Sequence, residues 1–370
     1  MTRGQSANPG LRTEQHQFLA QLLWSRQKEL GERAAWYLVK QFSEAAKRYG
    51  PVPQEHWREH LAGRIGELAA AVDAAQPEIF ANQLAWAKIA FVARQVPVAD
   101  LEHSLTALWA TILPEVDPQD APLVQVALEL ARQRLHTGPI EAPSRLTVES
   151  RHHRLAAEYL LAILQGDRVR ASRVVVGAVS AGQISVPEAY TEIFVPVQRE
   201  LGRMWHMGEV NVAEEHFSTA TTLMVMSQIL PLAQAAPSNG RVMLAASVEE
   251  NTHDLGLRMV ADFFELAGWR VVYLGASVPA EDLAMGVKDF QADLVAISAA
   301  LPVHLRAVED TIAVLRATCE RSSRTGRQVK IIVGGNAFWD APEVWRLFGA
   351  DGFARNAVEA VKLGEQLVMR

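Results

Sequence analysis

The segment Val248-Glu249-Glu250-Asn251-Thr252-His253-Asp254-Leu255-Gly256 carries residue types suited to holding a metal. A histidine flanked by amide and acidic side chains can coordinate a metal through one ring nitrogen while the other donates a hydrogen bond to a nearby oxygen. Gly256 lets the backbone come close to something bulky. Two later segments, Ser298-Ala299-Ala300-Leu301 and Gly334-Gly335-Asn336, are small enough to leave a deep slot between strands. Upstream, Trp205 is followed after nine residues by Glu215-His216. An indole offers a flat apolar face, a carboxylate accepts from hydroxyls, and a neutral imidazole is a good ligand for a transition metal. A lone histidine in a loop more often caps a helix or faces solvent, so the weight rests on the set.

The elements that must position these residues follow from periodicity. From Arg241 onward, β-rich runs at 242–247, 269–274, 294–299, 330–333 and 352–355 alternate with amphipathic helices. That alternation predicts a parallel, doubly wound sheet with ligands at the carboxyl ends of its strands. His253, Ser298 and the Gly334-Gly335 pair then lie in the loops after the first, third and fourth strands. Before it, residues 148–232 read as a four-helix bundle with stops at Gly166, between Gly182 and Pro187, and at Gly208. Asn211 three residues before Glu214 has the form of a capping box, which puts Glu215 and His216 in or just after the first turn of the last helix. Residues 13–135 are helical throughout and predict five helices, with Pro51, Pro53, Pro77, Pro97 and Pro118 marking the breaks. The turn-rich stretch 136–144 marks a boundary. The expected organisation is a loose tail at 1–12, an all-α domain at 13–140, the bundle at 146–236 and the sheet domain at 240–370.

Composition bounds the function. A chain of 370 residues with 49% hydrophobic side chains can bury several cores, and a net charge of −6 with no basic half argues against nucleic acid as a partner. One cysteine, Cys319, excludes an intramolecular disulfide, fits a reducing cytoplasm and reads as a half-buried, quiet thiol after the third strand. The uncharged run 217–240 carries Ser, Thr, Gln, Asn and two prolines, so it reads as a buried helix and linker rather than a membrane span. The N-terminal stretch lacks the apolar run of a secretory signal.

The string Asn251-Thr252-His253-Asp254-Leu255-Gly256, then Ser298, then Gly334-Gly335, resembles the Rossmann-like (flavodoxin-like) cobalamin-binding domain. The resemblance implies that His253 replaces the dimethylbenzimidazole as lower axial cobalt ligand and that the nucleotide tail enters the slot lined by Ser298 and the glycine pair. Where that family usually has an acid two residues before the histidine, this chain has Asn251, a neutral and weaker acceptor for the imidazole N–H. The Trp205, Glu215, His216 pattern resembles the cap of light-sensing cobalamin proteins of the CarH and LitR type. It implies that Trp205 packs over the 5′-deoxyadenosyl group, that Glu215 bonds its sugar, and that His216 reaches the upper cobalt face once light has expelled that group. His206 is the other imidazole here and reads as a solvent-facing neighbour of Trp205. The winged helix-turn-helix of the light-sensing repressors has no counterpart in the charge-balanced first 140 residues.

Five of the nine tryptophans, Trp24, Trp36, Trp57, Trp86 and Trp109, fall in that first region, where most read as core anchors. A globin-like helical domain joined to a cobalamin module without a DNA-binding domain resembles the photocobilins, which pair cobalamin with a bilin. The resemblance implies biliverdin as a second chromophore, bound non-covalently because no cysteine lies there. Trp86, Arg94, His103 and Trp109 are the residues put forward for it. Arg94, His56, His60 and His103 are the cations available to its carboxylates, and haem on one of these histidines is the competing ligand. The whole implies a light sensor without turnover: adenosylcobalamin as cofactor, a light-dependent homo-oligomer, a separate output partner, and neither nucleic acid nor membrane. The rival reading is a corrinoid protein carrying a methyl group between methyltransferases. A third is a single-chromophore sensor whose N-terminal domain serves dimerisation.

Overall fold

A computed structural model describes residues 12–146, 151–318 and 328–369. The chain divides into two units, one made of the chain up to Ile140 with Leu301–Arg306 and Ala337–Val344, the other of the remainder. Cys319 lies outside the described residues. No helix among the described residues is long and apolar enough to cross a membrane.

The first unit is all-α. Where periodicity predicts five helices, seven form among the described residues: Glu14–Ser25, Gln27–Gln41, Ser43–Lys47, Pro53–Asp73, Pro77–Ala93, Ala99–Ile112 and Ala121–Thr137. The additions come from single residues that leave helical backbone without a proline to announce it. Arg26 (φ −107°, ψ 10°) splits the first run and is held by Glu29 and Glu115, and Phe42 (φ −124°, ψ 53°) sets off the short Ser43–Lys47. Pro53 and Pro77 each open a helix, where the missing N–H has no intrahelical partner to lose. The core is mainly aliphatic, built on Leu19, Leu30, Leu38, Leu61, Ile65 and Leu108 with Phe80 among them. Of the five tryptophans only Trp57 is buried, whereas Trp36 and Trp86 are exposed. The expectation of core anchors fails because the small and aliphatic residues fill the interhelical space first.

In the second unit the helices His153–Leu164, Arg168–Ser180 and Val212–Ile229 surround a fourth helical run, Val186–Met207. That run widens into a π-helical turn over Ala189–Phe194. Tyr159, Tyr190 and Phe194 fill the bundle core edge to face. The bundle rests on the helix Leu255–Leu266 through Leu255, Met259, Phe263 and Leu266, while Leu257, Ala261 and Phe264 of that helix face the sheet. One helix therefore serves two cores, each with its own stripe at helical spacing.

The sheet is five-stranded and parallel, with strands β1 (Val242–Val248), β2 (Arg270–Val278), β3 (Leu294–Ser298), β4 (Lys330–Gly334) and β5 (Gly352–Ala354) in the order β2-β1-β3-β4-β5. That is the flavodoxin-like order, whose switch point lies between β1 and β3. β1 is buried along its whole length, as a central parallel strand must be. β2 runs four residues past the predicted end through a register shift that skips Leu274, and both Gly275 (φ +86°), which pairs with Ala246, and Ser277 (φ +52°) are left-handed. The register pairs Ser247 with Ser298 and Ser298 with Gly334, so the carboxyl ends of β1, β3 and β4 stand side by side.

Only glycine fits after β4. Gly335 has φ +105°, and a Cβ there would stand 2.1 Å from the carbonyl oxygen of Ala299. Gly335→Ala should lower the unfolding free energy of the sheet domain by about 2 kcal/mol or more, from the left-handed backbone and the clash together. Urea denaturation checks this, and a loss below about 0.5 kcal/mol, the size of an ordinary surface change, would contradict it.

Candidate functional site

The loop after β1 is built around Asn251, which is fully buried. Its amide nitrogen donates to Ser247 Oγ (3.2 Å) and to the Ser298 carbonyl (3.2 Å). Its amide oxygen accepts from the backbone N–H of His253 (3.2 Å), its own N–H donates to Val248, and its carbonyl accepts from Ser277 N–H (3.1 Å). One side chain thus ties the ends of β1 and β3 to the backbone of the histidine, while its main chain reaches β2. Asn251 Oδ1 accepts here from the His253 backbone, a contact that the sequence did not suggest. The preceding Glu250 takes left-handed backbone (φ +64°), with its N–H on Ser277 Oγ.

His253 follows in an exposed position, and its ring meets no hydrogen-bond partner among the described residues. Asp254 turns the chain into the helix Leu255–Leu266, accepting from Tyr273 Oη (2.7 Å) through its carboxylate and from Arg258 N–H (2.8 Å) through its carbonyl. Burial and the Asp254 charge push the Tyr273 phenol well above its ordinary range, so it remains a donor. Leu255 packs toward the bundle. Gly256 has open space where a Cβ would stand. Ser298 and Gly334 are neighbours in register, and the Gly334 carbonyl accepts from Ala299 N–H (3.1 Å).

The donor set fits a cobalt corrinoid. Such a group would ask the protein for an imidazole, and His253, exposed on a backbone held by Asn251, is the residue that would offer one. The open side of Gly256 leaves room for a broad ring, and the backbone of Ala299 closes tightly on Gly335.

The nine residues between Trp205 and Glu215 are spent on one helix end and one helix start. The helix bearing Trp205 ends in a left-handed Gly208 (φ +76°), with Gly208 N–H on the Trp205 carbonyl and Glu209 N–H on the Met204 carbonyl. The next begins with the predicted capping box, Asn211 Oδ1 accepting from Glu214 N–H (3.0 Å) and Glu214 Oε2 from Asn211 N–H (2.7 Å). Arg203 braces the turn against Glu200 and Glu209. Trp205 is 44% exposed. His206 is buried, not solvent-facing. His216 is exposed, and its Nδ1 lies 2.6 Å from Glu215 Oε2, while Glu215 Oε1 accepts from Thr219 (3.1 Å). With Nδ1 turned to the carboxylate, Nε2 is the ring nitrogen left for another partner.

In the first unit, Trp86 lies on the helix Pro77–Ala93, Arg94 follows it, and His103 and Trp109 share the helix Ala99–Ile112. An open depression of about 390 Å³ in this unit is lined by Glu32, Arg33, Trp36, Tyr37, Gln54, Ala110 and Thr111, with none of those four among them. His103 stacks on Phe42 (4.0 Å between centroids). The structure assembles a different belt, Tyr49, His56, Trp57, His60 and Phe91, with successive centroids 4.8–6.3 Å apart. Within it Trp57 Nε1 and His60 Nε2 are enclosed without a hydrogen-bond partner, and burial holds the His60 imidazole down to about 3.

Sequence reasoning missed Tyr273, Arg258, Asp262 and Tyr190. Arg258 reaches Asp262 (2.9 Å) and lies over the Tyr273 ring (5.1 Å), and Tyr190 Oη donates to Asp262 (2.7 Å). Only the acid and base four residues apart on one helix were visible beforehand.

Two family models match, each described as a B12 binding domain, over residues 241–362 and 155–230. The chain is similar to dimethylamine corrinoid protein 3 of Methanosarcina mazei, 30% identical over 39% of this chain and 81% of that one. It is also similar to the HTH-type transcriptional repressor CarH of Myxococcus xanthus, 32% identical over 40% of this chain and 48% of the repressor. Against the other curated relatives it spans 56–64% of their length. The monomethylamine corrinoid protein of Methanosarcina barkeri shares the fold, with a TM-score of 0.51 at 20% identity over 58% of this chain and 99% of that one.

Asn251→Asp tests the anchor. A carboxylate cannot donate to the Ser298 carbonyl, so the variant should lose about 1–3 kcal/mol of stability at neutral pH. Denaturation of the ligand-free protein at pH 7 measures it, and a variant as stable as the parent would contradict the amide's assigned donors.

Proposed function

The chain belongs to the family of B12-binding corrinoid proteins, and from that premise we propose that it is a light sensor with adenosylcobalamin as cofactor and biliverdin as a second, non-covalent chromophore. The observation that carries the reading is the Trp205 turn with the Glu215–His216 pair set on capped helix ends. His253 would be the lower axial ligand, with the slot beside Ser298, Gly334 and Gly335 taking the nucleotide tail. Trp205 would pack against the adenosyl group and Glu215 would accept from its sugar hydroxyls. When bound, adenosylcobalamin supplies a cobalt–carbon bond that visible light breaks.

The chain's own residues then carry the signal. Glu215 holds the His216 Nδ1 proton and leaves Nε2 able to serve as an upper ligand, and buried His206 is the alternative imidazole. Trp205, once without a packing partner, biases the bundle toward a second arrangement, a two-state response to one ligand. The output is a change in self-association or in a separate partner protein, with no turnover, in the cytoplasm and without nucleic acid or membrane. For biliverdin, the supporting observation is the aromatic belt with its enclosed ring nitrogens on Trp57 and His60, a second place to look beside Trp86, Arg94, His103 and Trp109.

The second reading, a methyl-carrying corrinoid component, is favoured by the similarity to dimethylamine corrinoid proteins. A methyl carrier needs an upper face open to a partner enzyme, which gives Trp205 and the Glu215–His216 pair no task.

The full chain, loaded with adenosylcobalamin and biliverdin and desalted, should change its cobalamin spectrum under green light and retain a red-absorbing bilin band. A light-inert cobalamin with no second pigment would move the assignment to the methyl carrier. His253→Ala should weaken cobalamin binding at least tenfold, as loss of groups around a metal does, and unchanged affinity and spectrum would remove the ligand assignment. Trp205→Ala should shorten dark retention of the adenosyl group without abolishing corrinoid binding, and equal loss of both would make Trp205 a packing residue only.

A further inference from the structure

The helix Leu255–Leu266 begins beside His253 and carries, two turns on, a buried polar junction that neither the sheet nor the bundle requires for packing. Asp262 is 1% exposed and has two partners from different directions. Tyr190 Oη donates to its Oδ2 (2.7 Å) from the π-helical turn of the bundle, and Arg258 Nε reaches its Oδ1 (2.9 Å) from the preceding turn of the same helix. The Arg258 guanidinium also lies over the Tyr273 ring, and the Tyr273 hydroxyl donates to Asp254, the residue next to His253. Tyr190 is itself 1% exposed, wedged edge to face between Phe194 (5.5 Å) and Phe263 (5.7 Å).

Two features set this apart from incidental polar packing. Burying a carboxylate among aromatic rings is unfavourable unless it is paired, and phenylalanine at 190 would fill the same volume without the hydroxyl. The hydroxyl meets Asp262 from a stretch where the helix departs from α geometry, a departure common where a helix must re-aim a side chain. Burial and the Asp262 charge push the Tyr190 phenol far above its ordinary range, so it stays a donor. The π turn and Trp205 share the continuous run Val186–Met207, so the Tyr190 hydroxyl and the Trp205 indole are carried by one helical run.

We propose that Tyr190 is a positioning residue that couples the bundle to the His253 loop through Asp262, Arg258, Tyr273 and Asp254, so that the helical run bearing Trp205 and the lower cobalt ligand are set together. This inference rests on the assignment of His253 as the cobalt ligand. Cutting the path at either tyrosine leaves the helix Leu255–Leu266 packed but lets the loop at its start vary, and the imidazole then competes less well for the metal.

The test uses the full chain with Tyr190→Phe, Tyr273→Phe and the double variant, each titrated with adenosylcobalamin. The readouts are affinity, the fraction of bound cobalt carrying an imidazole from the visible spectrum, and the melting temperature of the ligand-free protein. Each single variant should bind about tenfold more weakly with a lower imidazole-bound fraction, and the double variant should be no worse than the weaker single one, as expected for a shared path. Single variants that lower the melting temperature and leave affinity and spectrum unmoved would overturn the proposal, because a merely structural hydroxyl behaves that way. Additive losses in the double variant would overturn the shared path. His253→Ala in the same series separates the two levels: if it binds as the parent does, the ligand assignment fails and takes the inference with it, whereas a strong loss there with silent tyrosine variants removes only the coupling.

Discussion

Everything at the carboxyl end of the sheet depends on one buried amide. Asn251 sits at the crossing of β1, β3 and the turn that returns from β2, and it satisfies the backbone of His253 with its oxygen while tying down Ser247 and Ser298 with its nitrogen. Leaving any of these buried groups unpaired costs about 1–3 kcal/mol, a large share of a domain's net stability. The arrangement therefore does two things with the same bonds: it closes the switch point of the sheet and it fixes where the histidine backbone leaves it. The imidazole is exposed while the backbone that carries it is held by Asn251.

The upper constellation is positioned by a different physics. Trp205 and Glu215 stand at the ends of consecutive helices, and their separation is set by how one helix stops and the next starts. A left-handed glycine and a capping box fix that turn through backbone hydrogen bonds, with Arg203 pairing both acids that flank it. Between the two regions lies the helix Leu255–Leu266, which shows one stripe to the bundle and another to the sheet. Such a shared helix ties the two packed cores to one element.

The strands were legible because each is a short β-rich run bounded by turn residues, and the carboxyl ends of β1, β3 and β4 followed from their alternation with helices. His253, Ser298 and Gly335 could be found because a strand-end histidine and a glycine pair are local signals. Asn251 could be noticed but not understood, since its partners are 4 and 47 residues away and which of its atoms faces which partner is a three-dimensional fact. The Tyr190–Asp262 bond, 72 residues long in sequence, left no local trace, and neither did the π-helical turn, which keeps the composition of an ordinary helix. In the first unit the breaks at Arg26 and Phe42 were invisible because no proline or glycine marks them, and exposed tryptophans passed for core because type alone does not report burial.

If His253 gives its imidazole to the cobalt of a bound corrinoid, electron paramagnetic resonance reads that bond directly. The protein is loaded with cobalt(II) cobalamin after growth with ¹⁵N-histidine, the cofactor itself carrying ordinary nitrogen. A protein imidazole on cobalt predicts that the axial splitting of each cobalt line changes from a triplet to a doublet. A triplet that persists would mean that the cofactor's own benzimidazole stays on the metal, and the role assigned to the Asn251-braced histidine would be wrong.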